Sequence, residues 1–501
     1  MRMPLFSKRF FLCMTLLCAA GCLRVYGQRR DSLAVRLLRS DTLIHFSAQW
    51  PRLAHPYTST SVADYAERCL LFLEDHGYPF AEVRMYRLPA DSLSPDSLPA
   101  VEVRVTANAL IRWDSIVLKG DARLSHRFLY PYLKIRPGQP YREKAVRQAE
   151  TALAALPYLQ PLRPPSPTFT DRAAALYIYA DAKNANTFDG YVGFSPKEDA
   201  SGLQVYGQLQ LRLANTFARG ESFALDWQHP QKERQSLQCE ADFPCLLHTP
   251  FGLYGQFSLL KNDTDYYTLS LPFGIRYQLW GQQYLQGYYR YETSRATQAG
   301  TVPQKNGIPD YRTQLYGLRV RLGKTDNARI PRRGYVVDVQ GEAGQKRLLS
   351  ESASTLALRA LAKEELYLPL GRRWVLAQRF ETGCKADPEL YESDLFRLGG
   401  LHSLRGADEQ ALRASAYAFL SGEIRWLLDK NAFFQVFTDG GWYEKKGVGD
   451  YQRDLPVGIG AGLSLYTKAG LLSLNYAVAA QHGQGFRLRA AKVGIGYSAL
   501  F

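Results

Sequence analysis

After residue 20 the chain has no apolar stretch long enough to cross a membrane as a helix. The early run at residues 10–20 follows Lys8 and Arg9 and is too short to span, so it reads as a secretory signal peptide. Two cleavage sites stay open: Ala19-Ala20-Gly21-Cys22 has the form of a lipoprotein box, and Val25-Tyr26-Gly27 before Gln28 suits ordinary signal peptidase. Cysteine is scarce. A cut after Gly27 removes Cys13, Cys18 and Cys22, and the remaining Cys69, Cys239, Cys245 and Cys384 are too scattered for a disulfide framework. Cys239 and Cys245 stand close enough to pair in an oxidising compartment, but ordinary strand and turn residues are the preferred reading. With only eight histidines, no metal-ligand spacing is found, so no metal and no cofactor is expected. Gly-x-Ser-x-Gly, His-Glu-x-x-His, a phosphate loop and a dinucleotide fingerprint are all missing, which argues against an enzyme. The net charge of +15 comes from Arg and Lys dispersed beside Asp and Glu, with no basic recognition helix, so nucleic acid is not an expected partner. A basic lumen, or attraction to anionic lipid and unfolded clients, accounts for it better.

What the chain does have is period-two alternation running to its last residue. Val493, Ile495, Tyr497, Ala499 and Phe501 alternate with Gly494, Gly496, Ser498 and Leu500. A strand with one face in lipid and one toward a polar interior has this pattern, and only helices and closed barrels satisfy their backbone groups inside a bilayer. The same pattern recurs upstream: Val457, Ile459, Ala461, Leu463 and Leu465 alternate with glycines and Ser464, and Tyr267 to Tyr277 alternates likewise. Tyr316, Leu318, Val320 and Leu322 make another outer face, while Asp338, Gln340 and Glu342 point into the lumen. Tyr288, Tyr289 and Tyr291 read as an interfacial girdle near strand ends. At roughly twenty residues per strand and turn, residues 187–501 hold about sixteen antiparallel strands, a transmembrane β-barrel with both ends on the periplasmic side. The turns at 428–431 and 467–469 then belong to the periplasmic rim, and the loops at 297–309 and 384–410 start from the extracellular side.

Residues 28–186 read as two soluble α+β units, 28–106 and 107–186. The second has a strand near 111–118, helices at 125–133 and 142–156, and strands near 159–162 and 174–180, with the turn Pro137-Gly138-Gln139-Pro140-Tyr141 between the helices. The first is less complete: a helix at 62–76, strands at 81–86 and 101–105, and a Ser/Pro/Asp loop at 92–99.

The β-α-α-β-β unit with its Gly-Gln-Pro-Tyr turn resembles a POTRA domain. The whole layout resembles the POTRA-plus-barrel outer-membrane superfamily of BamA-like assembly proteins, TamA-like translocation factors and two-partner-secretion transporters, whose barrels are also called bacterial surface antigen barrels. The most specific match is Phe396-Arg397-Leu398-Gly399-Gly400 followed by Ser403-Leu404-Arg405-Gly406, similar to the superfamily's long loop that folds back into the barrel with an arginine at its tip. Asp326 with Pro331, Arg333, Gly334 and Tyr335, then Gly422-Glu423-Ile424-Arg425, then Phe437-Thr438-Asp439-Gly440-Gly441 complete the set. The chain departs from the family pattern at Ala407, where an aromatic usually follows the Arg-Gly pair.

A buried guanidinium is costly unless paired, and Glu423 and Asp439, on successive strands after the loop, are the expected partners of Arg405. Gly406 lets the backbone turn at the tip. The resemblance implies a factor in the bacterial outer membrane that captures unfolded client proteins through soluble domains facing the periplasm, by adding a client strand to a sheet edge, and passes them to the barrel. Its partners would be the outer-membrane bilayer, unfolded clients, and periplasmic chaperones or accessory lipoproteins. The alternatives are a two-partner-secretion transporter, which the count of soluble units and strands suits and whose usual barrel-plugging N-terminal helix has a short candidate in residues 31–43, and a passive porin-like barrel. The seam between the first and last strands, with Gly494 and Gly496 offering little packing, is the expected place for the wall to open.

Overall fold

The structure is a computed structural model. It describes residues 34–39, 50–53, 58–88, 100–196, 203–229, 234–262, 266–296, 309–327, 330–350, 353–400, 403–408, 410–429, 431–447, 451–467, 470–481, 485–487, 489 and 491–500. The signal segment, the terminal Phe501 and nearly all of the loop at 297–309 lie outside the described residues. The chain divides into two compact units, Met1–Leu110 and Ile111–Phe501.

The first unit is a three-stranded sheet and a helix. Strand β1 (Ala34–Arg39) runs parallel to β3 (Ala100–Thr106), which pairs antiparallel with β2 (Glu82–Arg87), so β3 is central. Helix α1 (Ser59–Glu74) starts at a capping box between Thr58 and Ser61, which satisfies backbone N–H groups that a helix start leaves free. Its Val62, Tyr65, Cys69 and Leu73 pack on Val103 and Val105 of the sheet. The strand β1 corrects the expectation of a plug helix at 31–43. Six residues of that segment find their hydrogen bonds along β3 and supply a strand that the sequence reading of this unit lacked.

The second unit begins with the expected β-α-α-β-β order: β4 (Arg112–Lys119), α2 (His126–Leu133), α3 (Glu143–Ala154), β5 (Leu159–Phe169) and β6 (Ala173–Ala182). The sheet order is β4-β6-β5, with β4 and β6 parallel. Ser125 caps α2, and Lys134 ends it in the left-handed region at φ 53°. Strand β5 is longer than its sequence suggests because Pro161, Pro164, Pro165 and Pro167 read as a loop. As an edge strand it tolerates prolines, and the register slips on both sides of Arg163.

The remaining chain closes into a barrel of seventeen strand segments. Gln452–Asp454 and Val457–Tyr466 both pair with Ala432–Lys445 and are two pieces of one strand, which makes sixteen spanning strands, as expected. Numbered in chain order, the first is Thr187–Pro196, the sixth Tyr266–Trp280, the ninth Gly334–Leu348, and the eleventh Trp374–Ala386. The twelfth is Ala416–Leu427, the thirteenth Ala432–Lys445, the fifteenth Gly470–Ala480, and the last Lys492–Leu500. Tyr316 and Leu318 are exposed on the outer face, whereas Glu342 is buried inside. Tyr288 is a correction. All three tyrosines lie mid-strand, and Tyr288 points inward between Gly274 and Gly317, its hydroxyl donating to Glu342 at 2.6 Å. Reading Tyr-Tyr as a girdle ignored that adjacent strand residues face opposite sides.

The α+β portion of this unit is docked on one rim of the barrel. Ser125 N donates to Ala218 O at 2.7 Å, Asn215 Nδ2 to Arg123 O at 3.0 Å, and Gly281 N to Tyr132 O at 3.3 Å. Cys245, from another turn of the same rim, is buried in the α+β core beside Leu129 and Leu133. It is a free thiol, as is Cys239, so the pairing considered above is not formed. The turn at 428–431 lies on this rim, since every connection from an even to an odd strand does. The long loop between the eleventh and twelfth strands leaves from the opposite rim, beginning after Ala386 rather than at Cys384.

Candidate functional site: the loop folded into the barrel

Arg405 is buried, at 6% exposure, and every part of its fork is used. Nε donates to Asp439 Oδ2 at 2.7 Å, and Nη2 to Asp439 Oδ1 at 2.5 Å. Nη1 donates to Glu423 Oε1 at 2.6 Å, and Nη2 also reaches Ser421 Oγ at 2.7 Å. The guanidinium carbon Cζ lies over the Phe437 ring, 3.5 Å from its centre. Strand register makes this possible: Ser421 and Asp439 are direct cross-strand partners, as are Glu423 and Phe437, so four inward or adjoining positions on two strands face one tip. Glu423 is shared with Arg425, 2.5 Å away, which balances the second carboxylate.

The glycines of the motif sit where a side chain cannot. Gly406 has φ +93°, and a Cβ there would lie 2.7 Å from the backbone of Val478 and Ala479 on the fifteenth strand. Gly399, at φ +107°, would meet Asp408 O, and its N–H donates to Ser403 Oγ at 2.7 Å, which closes the turn leading to the tip. Gly400 is also left-handed, at φ 88°. Ala407 is buried with Leu398, Leu404 and Leu412, so the tip packs despite the missing aromatic. A cavity of about 190 Å³ lies beside it, bordered by Asn475, Lys492 and Gly494. Lys492 on the last strand pairs with Asp408 at 2.6 Å, which ties the tip to the closing strand.

Asp326 and Gly334 lie elsewhere and do different work. Asp326 Oδ1 accepts from Arg332 N at 2.9 Å and Arg333 N at 3.1 Å, shaping the rim turn before the ninth strand. Gly334, at φ +130°, leaves room for Lys324 O. On the last strand Val493 and Tyr497 are exposed on the outer face, and the side chain of Ile495 and all of Phe501 fall outside the described residues. Sequence reasoning missed Ser421, quoted Arg425 and Phe437 in the motif match without giving them a role, and missed the part played by Gly458, where a Cβ would strike Arg405 O. The inward glycine row of the fourteenth strand was a visible signal that something large packs there.

Among the described residues the last and first strands join through two residue pairs, Ala499 with Phe188 and Leu500 with Thr187. By contrast, the last strand makes eight pairs with its other neighbour and the first strand ten.

A closed sixteen-stranded barrel, an α+β region ahead of it, and an arginine-tipped loop locked inside define the class of outer-membrane-type β-barrel whose loop folds back into the lumen. The chain belongs to the Omp85 superfamily, whose domain matches residues 216–498. Among solved structures it is similar to CdiB from Escherichia coli, at 13% identity over 96% of this chain and 93% of that one, with a TM-score of 0.62. It is also similar to CdiB from Acinetobacter baumannii, at 14% identity over 94% and 89% of the two chains and a TM-score of 0.58. BamA from Haemophilus ducreyi lacking POTRA domains 1–3 aligns at 15% identity over 94% of this chain and all of that one, with a TM-score of 0.45. At these identities the likeness is one of fold. No curated protein sequence matches the chain.

Proposed function

We propose that the protein is an outer-membrane assembly or translocation factor that receives unfolded client proteins from the periplasm and passes them through its own wall at the seam. The observation that carries this reading is the two-pair seam. In hydrocarbon each unpaired backbone group costs several kcal/mol, so a closed barrel gains by pairing its whole length. The backbone of 492–498 lacks that pairing to the first strand, which makes this line the weakest in the wall and a template for another strand.

Client capture by strand addition needs an edge with free donors. The proline-bearing β5 is a poor one, and β4 is occupied at its start, where Gly138 N donates to Trp113 O and Trp113 N to Gln139 O. Strand β2 of the first unit, Glu82–Arg87, ends its described sheet with Met85 and Tyr86 exposed and is the better candidate. A two-partner-secretion transporter is the second reading, favoured by the two soluble units and the sixteen strands. Comparing the outer-membrane proteome of a depletion strain with its parent tests the proposal. Broad loss of barrel proteins is expected, and an unchanged proteome with altered solute permeability alone would reject it.

A further inference from the structure

Arg405 and Lys492 meet the tip of the loop, and another buried cation meets its root. Lys346 points inward from the ninth strand and is buried, with 3% of its side chain exposed. Its ammonium donates to Asp394 Oδ2 at 2.6 Å and to the carbonyl of Glu389 at 2.7 Å, and Asp387 Oδ2 lies 3.5 Å away. Two tyrosine rings flank it, Tyr311 from the eighth strand at 4.5 Å and Tyr391 from the loop at 4.6 Å. Asp394 and Asp387 are themselves fixed by the turn that bears them. Asp394 accepts from Tyr391 N at 3.0 Å, and Asp387 from Glu389 N at 3.0 Å.

An ammonium taken out of water must be paired and have its donors satisfied. Here both carboxylates, the carbonyl and one of the two rings around the ammonium come from residues 387–394, the root of the loop; the wall supplies the cation and Tyr311, with Thr355 Oγ1 donating to Asp387 Oδ1 at 3.3 Å and the Lys385 ammonium to the Asp394 carbonyl. Loop root and Lys346 therefore stabilise each other: if the root leaves, the cation keeps one ring and no anion. The sequence showed no sign of this, because the partners stand 41 and 48 residues along the chain from Lys346.

We propose that Lys346 is a positioning residue that keeps the root of the loop inside the lumen independently of the Arg405 tip. Resting on the seam reading above, this gives the root a specific part. Opening the seam moves the first and last strands and leaves the ninth alone, so the root stays docked and the lumen stays closed to solutes while a client passes through the wall.

The test uses the full chain with its natural cysteines replaced, in planar bilayers. Lys346→Cys should raise the time spent in a conducting state at least about tenfold, the factor that 1.4 kcal/mol represents. Converting that cysteine to S-aminoethylcysteine in the unfolded protein before refolding restores an ammonium on a stem of Lys length, and should restore closure. A Lys346→Cys protein as tight as its parent, or one that leaks equally after aminoethylation, overturns the proposal. Should Lys346→Cys not fold, Asp394→Asn changes the loop and leaves the wall intact, and it too must leak for the proposal to stand. Conductance reads the loop directly, so this result is distinguishable from a failure of the seam reading, which client assembly reports.

Discussion

Replacing Arg405 by Ala removes four side-chain hydrogen bonds and a cation from a site where Asp439 is 1% exposed. The cost is unequal between the two carboxylates. Glu423 keeps Arg425, whereas Asp439 is left with Ser421 Oγ and the backbone N–H of residue 405. The loss is therefore that of an uncompensated buried charge, about 3–5 kcal/mol, rather than the ~0–1 kcal/mol of a surface pair. Arg405→Lys keeps the charge, loses the fork, and should fall between. Asp439→Asn strips Arg405 of its two-point partner and Glu423→Gln takes the paired anion from Arg425, so each should also destabilise the site. Urea unfolding of protein refolded into vesicles, followed by tryptophan fluorescence and heat-modifiable mobility, measures these differences. A change below about 1 kcal/mol for Arg405→Ala, with the loop still protected from protease, would refute the assignment of Arg405 as the tip anchor.

Two further outcomes concern the docked α+β domain. Burial pushes the Cys245 thiol up to about 12, so in a variant with the other cysteines replaced it should resist maleimide at neutral pH. Because this thiol keeps its proton in the folded state where an exposed one loses it, its contribution to stability is fully present below about pH 9 and disappears as pH rises toward 12. Gly220 has φ +75°, and a Cβ there would sit 2.3 Å from the Phe128 ring, so Gly220→Ala should loosen the docking and speed Cys245 labelling by at least about tenfold. Labelling at the parent rate would show that the rim contact does not hold the domain.

Much of the architecture was legible because the bilayer forces a strict code. Outer faces such as Val457 to Leu465 alternate without interruption, and the strand count followed from chain length. The Arg405 partners were legible for a related reason, since a buried guanidinium must be neutralised and Glu423 and Asp439 were the inward carboxylates on the next two strands. What escaped the sequence depends on register or long separation. Tyr288 reads as girdle until its partner glycines are known, β1 has no pattern of its own and takes its structure from β3, and Lys346 meets a turn encoded far away. Which part of the seam is paired also depends on register: pairing falls at Phe188 and Ala499, at the rim end.

The account turns on whether the wall opens there. Phe188→Cys and Ala499→Cys, direct cross-strand partners in a chain without its natural cysteines, should form a disulfide across the seam under oxidising conditions. The decisive measurement is client assembly by the oxidised and the reduced protein in the same vesicles. Lateral opening predicts a folded, crosslinked barrel that is inactive and regains activity with reductant. Full activity in the crosslinked form would contradict it and move the client path into the lumen.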